Sequence, residues 1–494
     1  MDTDLVSSCS ASYPSAEDEL ERLQCVVDGI RNEHRGVSAG LDAFFLIFAS
    51  SLMFFMQGGF AMLCAGCVRK KNVQNTLLKN LLDACGAAIG FWSVGYAFAY
   101  GGTSTSRGVT FIGSSNFFMM GVENYSFWLF QFAFAATSAT IVAGTLAERS
   151  QMMAYMCYSL VLTGFVYPVV AHAVWSYNGF LSWRAREPLW GIGMIDFAGS
   201  AVVHLTGGMT AIIATKILGP RKDRFHDEDG GVMETPSKIV GHSTSLQVLG
   251  TFILWFGWYG FNAGSTLHIN TEVTARVASV AAVSTALASA AGSVSSLFLS
   301  VFLTERRTGE MIYDVSMALN GCLSGLVSIT GGCSVVEPWA AVVIGLVSGI
   351  NYVFFSELLI KLKIDDVVDA IPVHLPNGIW GAVAVGLFAS PRRLLDAYGQ
   401  NKHVGFFYSL GSGGIDARIL GTNLVGIVFV IAWVSLTMGP FFILLNYAGW
   451  LRADALEEIV GLDISYHGVQ EYNGTAVKSE LVEMIESMKN SDSK

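Results

Sequence analysis

Nine histidines occur in the chain, and only His172, His204 and His374 fall inside long apolar runs. An ionisable group in such a run is costly and marks a candidate site. His204 lies in Val203-His204-Leu205 and His374 in Val373-His374-Leu375. A neutral imidazole has one donor and one acceptor, so two facing rings can share a hydrogen bond and fix both tautomers. Such a pair could pass a small polar molecule or relay a proton. Two separately satisfied core histidines are the plainer alternative. Asp196 precedes His204, and Asp369 precedes His374 as the expected matching acid of the second half. Asp196 suits a helix N-cap, or a carboxylate that attracts a cation. Phe134 and Phe261 are candidates for a constriction. Trp175 closes an apolar run, and Trp258, Tyr259 and Ser265 surround Phe261. Aromatic faces attract small cations by about 0.5–2 kcal/mol, although most aromatics in so apolar a chain are core.

These residues need elements that hold them in an apolar medium. Of 494 residues, 52% are hydrophobic and 14% charged, against roughly 25% charged in a soluble domain. That composition argues against a soluble enzyme and against disorder. The formal charge of −10 gives no sign of nucleic-acid binding. A bilayer core needs about 20 apolar residues per helix. Eleven stretches qualify, near 41–67, 77–99, 127–147, 152–175, 197–218, 246–263, 277–302, 313–330, 338–362, 367–389 and 419–448. The expected fold is all-α, since lipid cannot satisfy free backbone groups and the alternation of a β-barrel is absent.

Lysine and arginine number 14 in one set of loops and 7 in the other. The N terminus is therefore expected outside and the C terminus inside. Five spans separate His204 from His374, and five separate Gly59-Phe60 from Gly260-Phe261. An odd number of spans per unit inverts the second unit, so the pattern predicts a five-plus-five inverted repeat with its site at the interface. The expected organisation is an extracellular segment 1–40, repeat 1 at 41–218 and a cytoplasmic linker 219–245. Repeat 2 follows at 246–389, then an extracellular loop 390–418, an eleventh helix 419–448 and a cytoplasmic regulatory tail 449–494.

The N-terminal segment lacks the basic start and apolar core of a secretory signal. Leu20, Leu23, Val26, Val27 and Ile30 predict a short amphipathic helix there. Cys9 and Cys25 are either free thiols or a disulfide, within or between chains. Cys64-Ala-Gly-Cys67 has no second CxxC and is not read as a redox or zinc site. Asn124-Tyr125-Ser126 is a sequon on the expected outer side, and Asn473-Gly474-Thr475 one on the inner side.

Several longer strings are specific. Asp196-Phe197-Ala198-Gly199-Ser200 is followed by Val203-His204 and Gly207-Gly208. With Gly257-Trp258-Tyr259-Gly260-Phe261-Asn262-Ala263-Gly264-Ser265, Ala147-Glu148-Arg149 and Thr330-Gly331-Gly332-Cys333 through Ala341, it resembles the ammonium transporter (Amt/Mep/Rh) family over residues 41 to 470. The tail Gly461-Leu462-Asp463-Ile464-Ser465-Tyr466-His467-Gly468 resembles the plant and algal branch.

The resemblance implies eleven helices in an inverted repeat, a homotrimer with one pore per subunit, and a plant or algal plasma membrane. It implies a recruitment site for ammonium or methylammonium from Trp175, Ser265 and Phe134, with Asp196 near it. It implies a stacked gate of Phe134 and Phe261, twin pore histidines His204 and His374, and Trp258 beside them. No cofactor or metal is implied, and no enzymatic chemistry. The tail would dock on the neighbouring subunit, and Ser465 falls where relatives carry a phosphorylated threonine, so a kinase is an implied partner. The expected function is selective ammonium uptake. An ammonium sensor with little flux and an electroneutral ammonia channel are the alternatives. Leu375-Pro376-Asn377 departs from the small residues that usually follow the second histidine, and a proline there frees a helix carbonyl.

Overall fold

The structure, a computed structural model, describes residues 3–12, 19–103, 108–227 and 231–467. It is helical, and the described residues form no sheet beyond isolated bridges. A short helix α1 (Thr3–Ser12) precedes α2 (Glu19–Cys67), α3 (Lys70–Tyr100), α4 (Tyr125–Thr145), α5 (Met152–Trp175) and α6 (Ser200–Leu218). The second half holds α7 (Thr244–Gly264), α8 (Glu272–Thr308), α9 (Val315–Thr330), α10 (Pro338–Lys361) and α11 (Ala370–Phe388). Two short helices, α12 (Pro391–Tyr398) and α13 (Phe406–Gly411), lead to α14 (Arg418–Tyr447). The tail adds α15 (Ala455–Val460) and α16 (Leu462–His467).

Among the described residues, nine helices are long and apolar enough to cross a membrane. The other two at expected places are α7 and the 16-residue α9. The opening helices of the halves, α2 and α7, pack closely. A Cβ on Gly59 would meet the Gly250 carbonyl at 3.0 Å, and one on Gly250 would meet the Leu63 nitrogen at 2.4 Å. Small residues let apolar helices touch backbone to backbone, where dispersion rather than the hydrophobic effect holds them. The closing helices α6 and α11 meet in the same way: a Cβ on Gly208 would lie 2.6 Å from the Leu375 nitrogen.

The N-terminal segment differs from expectation. The amphipathic stretch from Leu20 to Ile30 is not a separate short helix but is continuous with the first span in the 49-residue α2. No proline lies between Glu19 and Cys67, and isolated glycines cost a helix only about 1 kcal/mol each. The helix is about 74 Å long at 1.5 Å per residue, more than twice a hydrocarbon core. Cys9 and Cys25 are bonded within the chain, fastening α1 to α2.

A buried charge network underlies the ends of α4, α6 and α10. Glu148 accepts from Arg69 and Arg221, and Asp365 accepts from Arg221 through two nitrogens. Burial opposes ionisation of both acids. Arg221 and Arg69 nonetheless hold Glu148 below the usual carboxylate range, and Arg221 with Arg149 holds Asp365 well below it. Arg149 also donates to the Gly219 and Asp365 carbonyls. Removing one partner from so enclosed a network leaves an uncompensated charge.

The described tail folds back on its own chain, against the start of α3. Asp463 accepts the backbone N–H groups of Gln74 and Asn75, and the Leu462 N–H donates to Asn72 Oδ1. Lys71 donates to the Glu458 and Ile459 carbonyls. A carboxylate on free amides at a helix start is favoured by both hydrogen bonding and the helix dipole. Ser465 lies in α16, its hydroxyl donating to the Gly461 carbonyl at 3.2 Å. The sequon at Asn473 and the rest of the tail lie outside the described residues.

Candidate functional site

The start of α6 fixes the site. Asp196 does not begin a regular span. Its carboxylate accepts four backbone N–H groups, from Gly199 at 3.1 Å, Ser200 at 2.7 Å, Ala201 at 2.8 Å and Val202 at 2.9 Å. The helix-capping alternative thus accounts for both oxygens. Gly199 adopts a left-handed φ of +106°, and a Cβ there would strike Val203 and crowd the Trp175 ring. The chain then enters a wide π-type turn, Ser200–Leu205, that carries His204. Such turns re-aim side chains and recur at functional sites.

The second half repeats the device with a different acid. Asp369, expected as the match of Asp196, accepts from the hydroxyls of Tyr352 and Ser356, both at 2.9 Å. Asp366 instead accepts backbone N–H groups at the start of α11, from Val368 and Ile371. The spacing carried this signal: Asp196 and Asp366 each stand eight residues before their histidine.

Two vestibules flank a narrow aromatic and imidazole passage. The first, about 110 Å³, is lined by Trp175, Phe134, Ser265 and Asp196, together with Tyr100, Gln131, Arg184 and Tyr398. Composition gave no reason to single out those last four. Trp175 Nε1 donates to the Asp196 carbonyl at 2.7 Å, which orients the indole. The Ser265 hydroxyl donates to the Phe261 carbonyl at 2.8 Å, so its proton is committed and its lone pairs remain for a donor. Phe134 lies between Trp175 and Phe261, with ring centroids 5.4 and 4.5 Å away. The Phe134 and Phe261 planes cross at 65°, so the expected stacked pair is an edge-to-face pair. The positive ring edge of one meets the negative face of the other.

Behind Phe261 the rings run in layers. His204 stacks on Trp258 at 5.1 Å and 12°, and lies 5.5 Å from Phe261. The Trp258 indole is held by donation to Thr330 Oγ1 at 2.9 Å. His204 and His374 face each other, Nδ1 to Nδ1 at 3.2 Å. One proton must occupy that contact. One ring therefore carries its hydrogen on Nδ1 and leaves Nε2 as an acceptor; the other leaves Nε2 as a donor. His204 Nε2 is buried and has no partner among the described residues. His172 is different, with Nδ1 on the Ala99 carbonyl and Nε2 on the Thr110 hydroxyl. It is a satisfied core histidine.

Beyond the histidines lies an apolar gap of about 20 Å³ lined by His374, Ile141, Leu323 and Val368. It precedes a second vestibule of about 550 Å³ that holds Asp314, Asp366, Asp369 and Arg224. At this mouth, burial and the neighbouring Asp369 push Asp366 up to about 7. Pro376 does not break α11. Its missing N–H would have bonded the Pro372 carbonyl, and Asn377 Nδ2 donates to that carbonyl at 3.1 Å instead. Ser328 donates in turn to the Asn377 carbonyl at 3.2 Å. Prolines persist in membrane helices where a neighbouring side chain re-satisfies the freed group in this way.

The model of a family described as the Ammonium Transporter Family matches residues 43–472. The chain belongs to that family. It is similar to ammonium transporter 1 member 3 of Solanum lycopersicum, at 41% identity over 90% of this chain and 95% of the relative. It is 39% identical to ammonium transporter 3 of Dictyostelium discoideum, over 87% of this chain and 94% of that one. Among solved structures, a Sensor Amt Protein superposes with a TM-score of 0.73 at 30% identity, covering 87% of this chain and 99% of the other. Mep2 of Candida albicans superposes with a TM-score of 0.71 at 28% identity, over 84% of this chain and 87% of its own. The ammonium transporter assignment makes the chain a multi-pass membrane protein of a transporter family, not an enzyme. Asn124, the sequon residue, is exposed and caps α4 by accepting the Phe127 N–H.

Proposed function

We propose that the chain takes up ammonium selectively across a plasma membrane, from the vestibule of Trp175, Phe134 and Ser265 toward the vestibule of Asp366. Ammonium and potassium share a charge and a similar size, so selection must use N–H donors and a proton that leaves. The Trp175 and Phe134 faces attract the cation, and Ser265 accepts one N–H. Asp196 acts as a positioning residue, through its carbonyl on the Trp175 indole and its cap on the turn that carries His204. An apolar gate makes the intact ion expensive. Ammonium gives up one proton to water at the outer vestibule, and the ammonia that remains passes the Phe134–Phe261 pair. It meets one acceptor and one donor nitrogen of the histidine pair, matching its own donors and lone pair. The proton follows separately, so each ammonia moves with one charge.

The observation that carries this reading is the Nδ1-to-Nδ1 pair with an unpartnered His204 Nε2 between two vestibules. Ammonium-evoked current and labelled methylammonium uptake in voltage-clamped cells test it. Saturating ammonium current without potassium current is expected. W175A and S265A should raise half-saturation, and H204A with H374A should abolish ammonium-selective flux. Unchanged selective flux in the double-histidine variant would sink the mechanism. Uptake without current would leave an electroneutral ammonia channel. A sensing role is the second reading, favoured by the likeness to a Sensor Amt Protein; signalling that survives the loss of flux would support it. We also infer an outer N terminus, glycosylation at Asn124, a homotrimer, and control by a kinase at Ser465.

A further inference from the structure

The vestibule proposed to recruit a cation carries an unexpected charge. Of the described residues that line it, two are charged, Asp196 and Arg184. The Asp196 carboxylate spends both oxygens on four backbone amides. Arg184 has no such compensation. Its guanidinium lies 5.1 Å from the Trp183 ring centroid and 5.1 Å from that of Tyr177. Among the described residues no carboxylate ion-pairs with it. Two aromatic faces thus hold a half-buried, permanently charged group at the rim.

We infer that Arg184 sets the affinity and valence preference of the entrance: its fixed positive charge repels cations from the outer vestibule, divalent ones most, and sets the ammonium concentration at which transport saturates. The vestibule then works by opposition. Aromatic faces and the Ser265 oxygen draw in a small cation with N–H donors. The arginine penalises every cation in proportion to its charge, so it raises the half-saturation of monovalent ions alike and holds out divalent ones most. A divalent ion is repelled about twice as strongly as ammonium, since Coulomb energy scales with the product of charges. Salt screens this repulsion, while the short-range aromatic contacts persist.

Because this takes the vestibule as the ammonium entrance proposed above, the test must separate the two claims. The full-length chain is expressed in voltage-clamped cells, with surface abundance measured for each variant. Half-saturation for ammonium is compared at low and high ionic strength. R184Q should lower half-saturation about two- to fivefold at low ionic strength, the effect of one unit charge removed from a partly wet cavity. The difference should shrink at high ionic strength. R184K keeps the charge and should stay near the parent value, and R184E should fall below R184Q. Magnesium should inhibit R184Q more than the parent. An equal or higher half-saturation in R184Q at low ionic strength, with W175A still weakening transport, overturns the role of Arg184 and leaves the entrance intact. No change in either variant overturns both. If R184Q does not reach the surface, R184E against R184K decides by the same ordering.

Discussion

Asn377 stands in for the hydrogen that Pro376 lacks, and the size of that service can be measured. The side chain is fully buried, and its Nδ2 donates to the Pro372 carbonyl at 3.1 Å. N377L keeps the branched shape, with somewhat larger methyl groups, and removes the donor; the overpacking is common to both backgrounds and cancels in the cycle below. The buried carbonyl then has no partner, which costs about 1–3 kcal/mol. P376A restores a backbone N–H four residues after Pro372. In that background the same N377L change should cost less, by about 1–2 kcal/mol, because the carbonyl has regained its partner. The assay is a double-mutant cycle on thermal stability in detergent, with the four proteins unfolded side by side. N377L should be the least stable of the four, and P376A with N377L should recover much of the loss. Transport gives a second readout, since His374 sits two residues before Pro376. N377L should reduce maximal flux at equal surface abundance, and the double variant should recover it. Equal losses from N377L in both backgrounds would refute the substitution of side chain for backbone.

Two further outcomes follow from the caps of α6 and α11. D196N replaces a carboxylate holding four amide donors with a group that turns an NH₂ against two of them. It should cost at least about 2 kcal/mol and lower melting temperature and surface abundance together. A change in half-saturation with full stability would instead assign Asp196 to the ligand. Burial and the neighbouring Asp369 push Asp366 up to about 7 in the folded protein, against about 3.9 when unfolded. An acid whose folded value is raised binds more protons in the native state, so its contribution to stability declines as pH rises between those two values. Melting temperature should fall from pH 5 to pH 8, and D366N should flatten that fall. A parallel slope in the variant would remove Asp366 as the cause.

The sequence alone determined the fold class and singled out most of the residues proposed to line the pore. Apolar runs of bilayer length leave the helix as the backbone's solution, because no water is present to satisfy it otherwise. The histidines were legible because ionisable groups are rare in such runs and these two fall at matching places. Other features required packing. Asp366 rather than Asp369 matches Asp196, since which acid reaches free amides depends on the path of the turn, not on proximity to the histidine. The Phe134–Phe261 angle and the return of the tail to Asn72 and Asn75 are set by neighbours far away in sequence. So is the exposure of Arg184 to the vestibule, where an arginine in a loop reads as a solvated charge until the fold encloses it. The repair of Pro372 by Asn377 is local in sequence. It became visible only when α11 proved continuous, because the same three residues could have ended the helix.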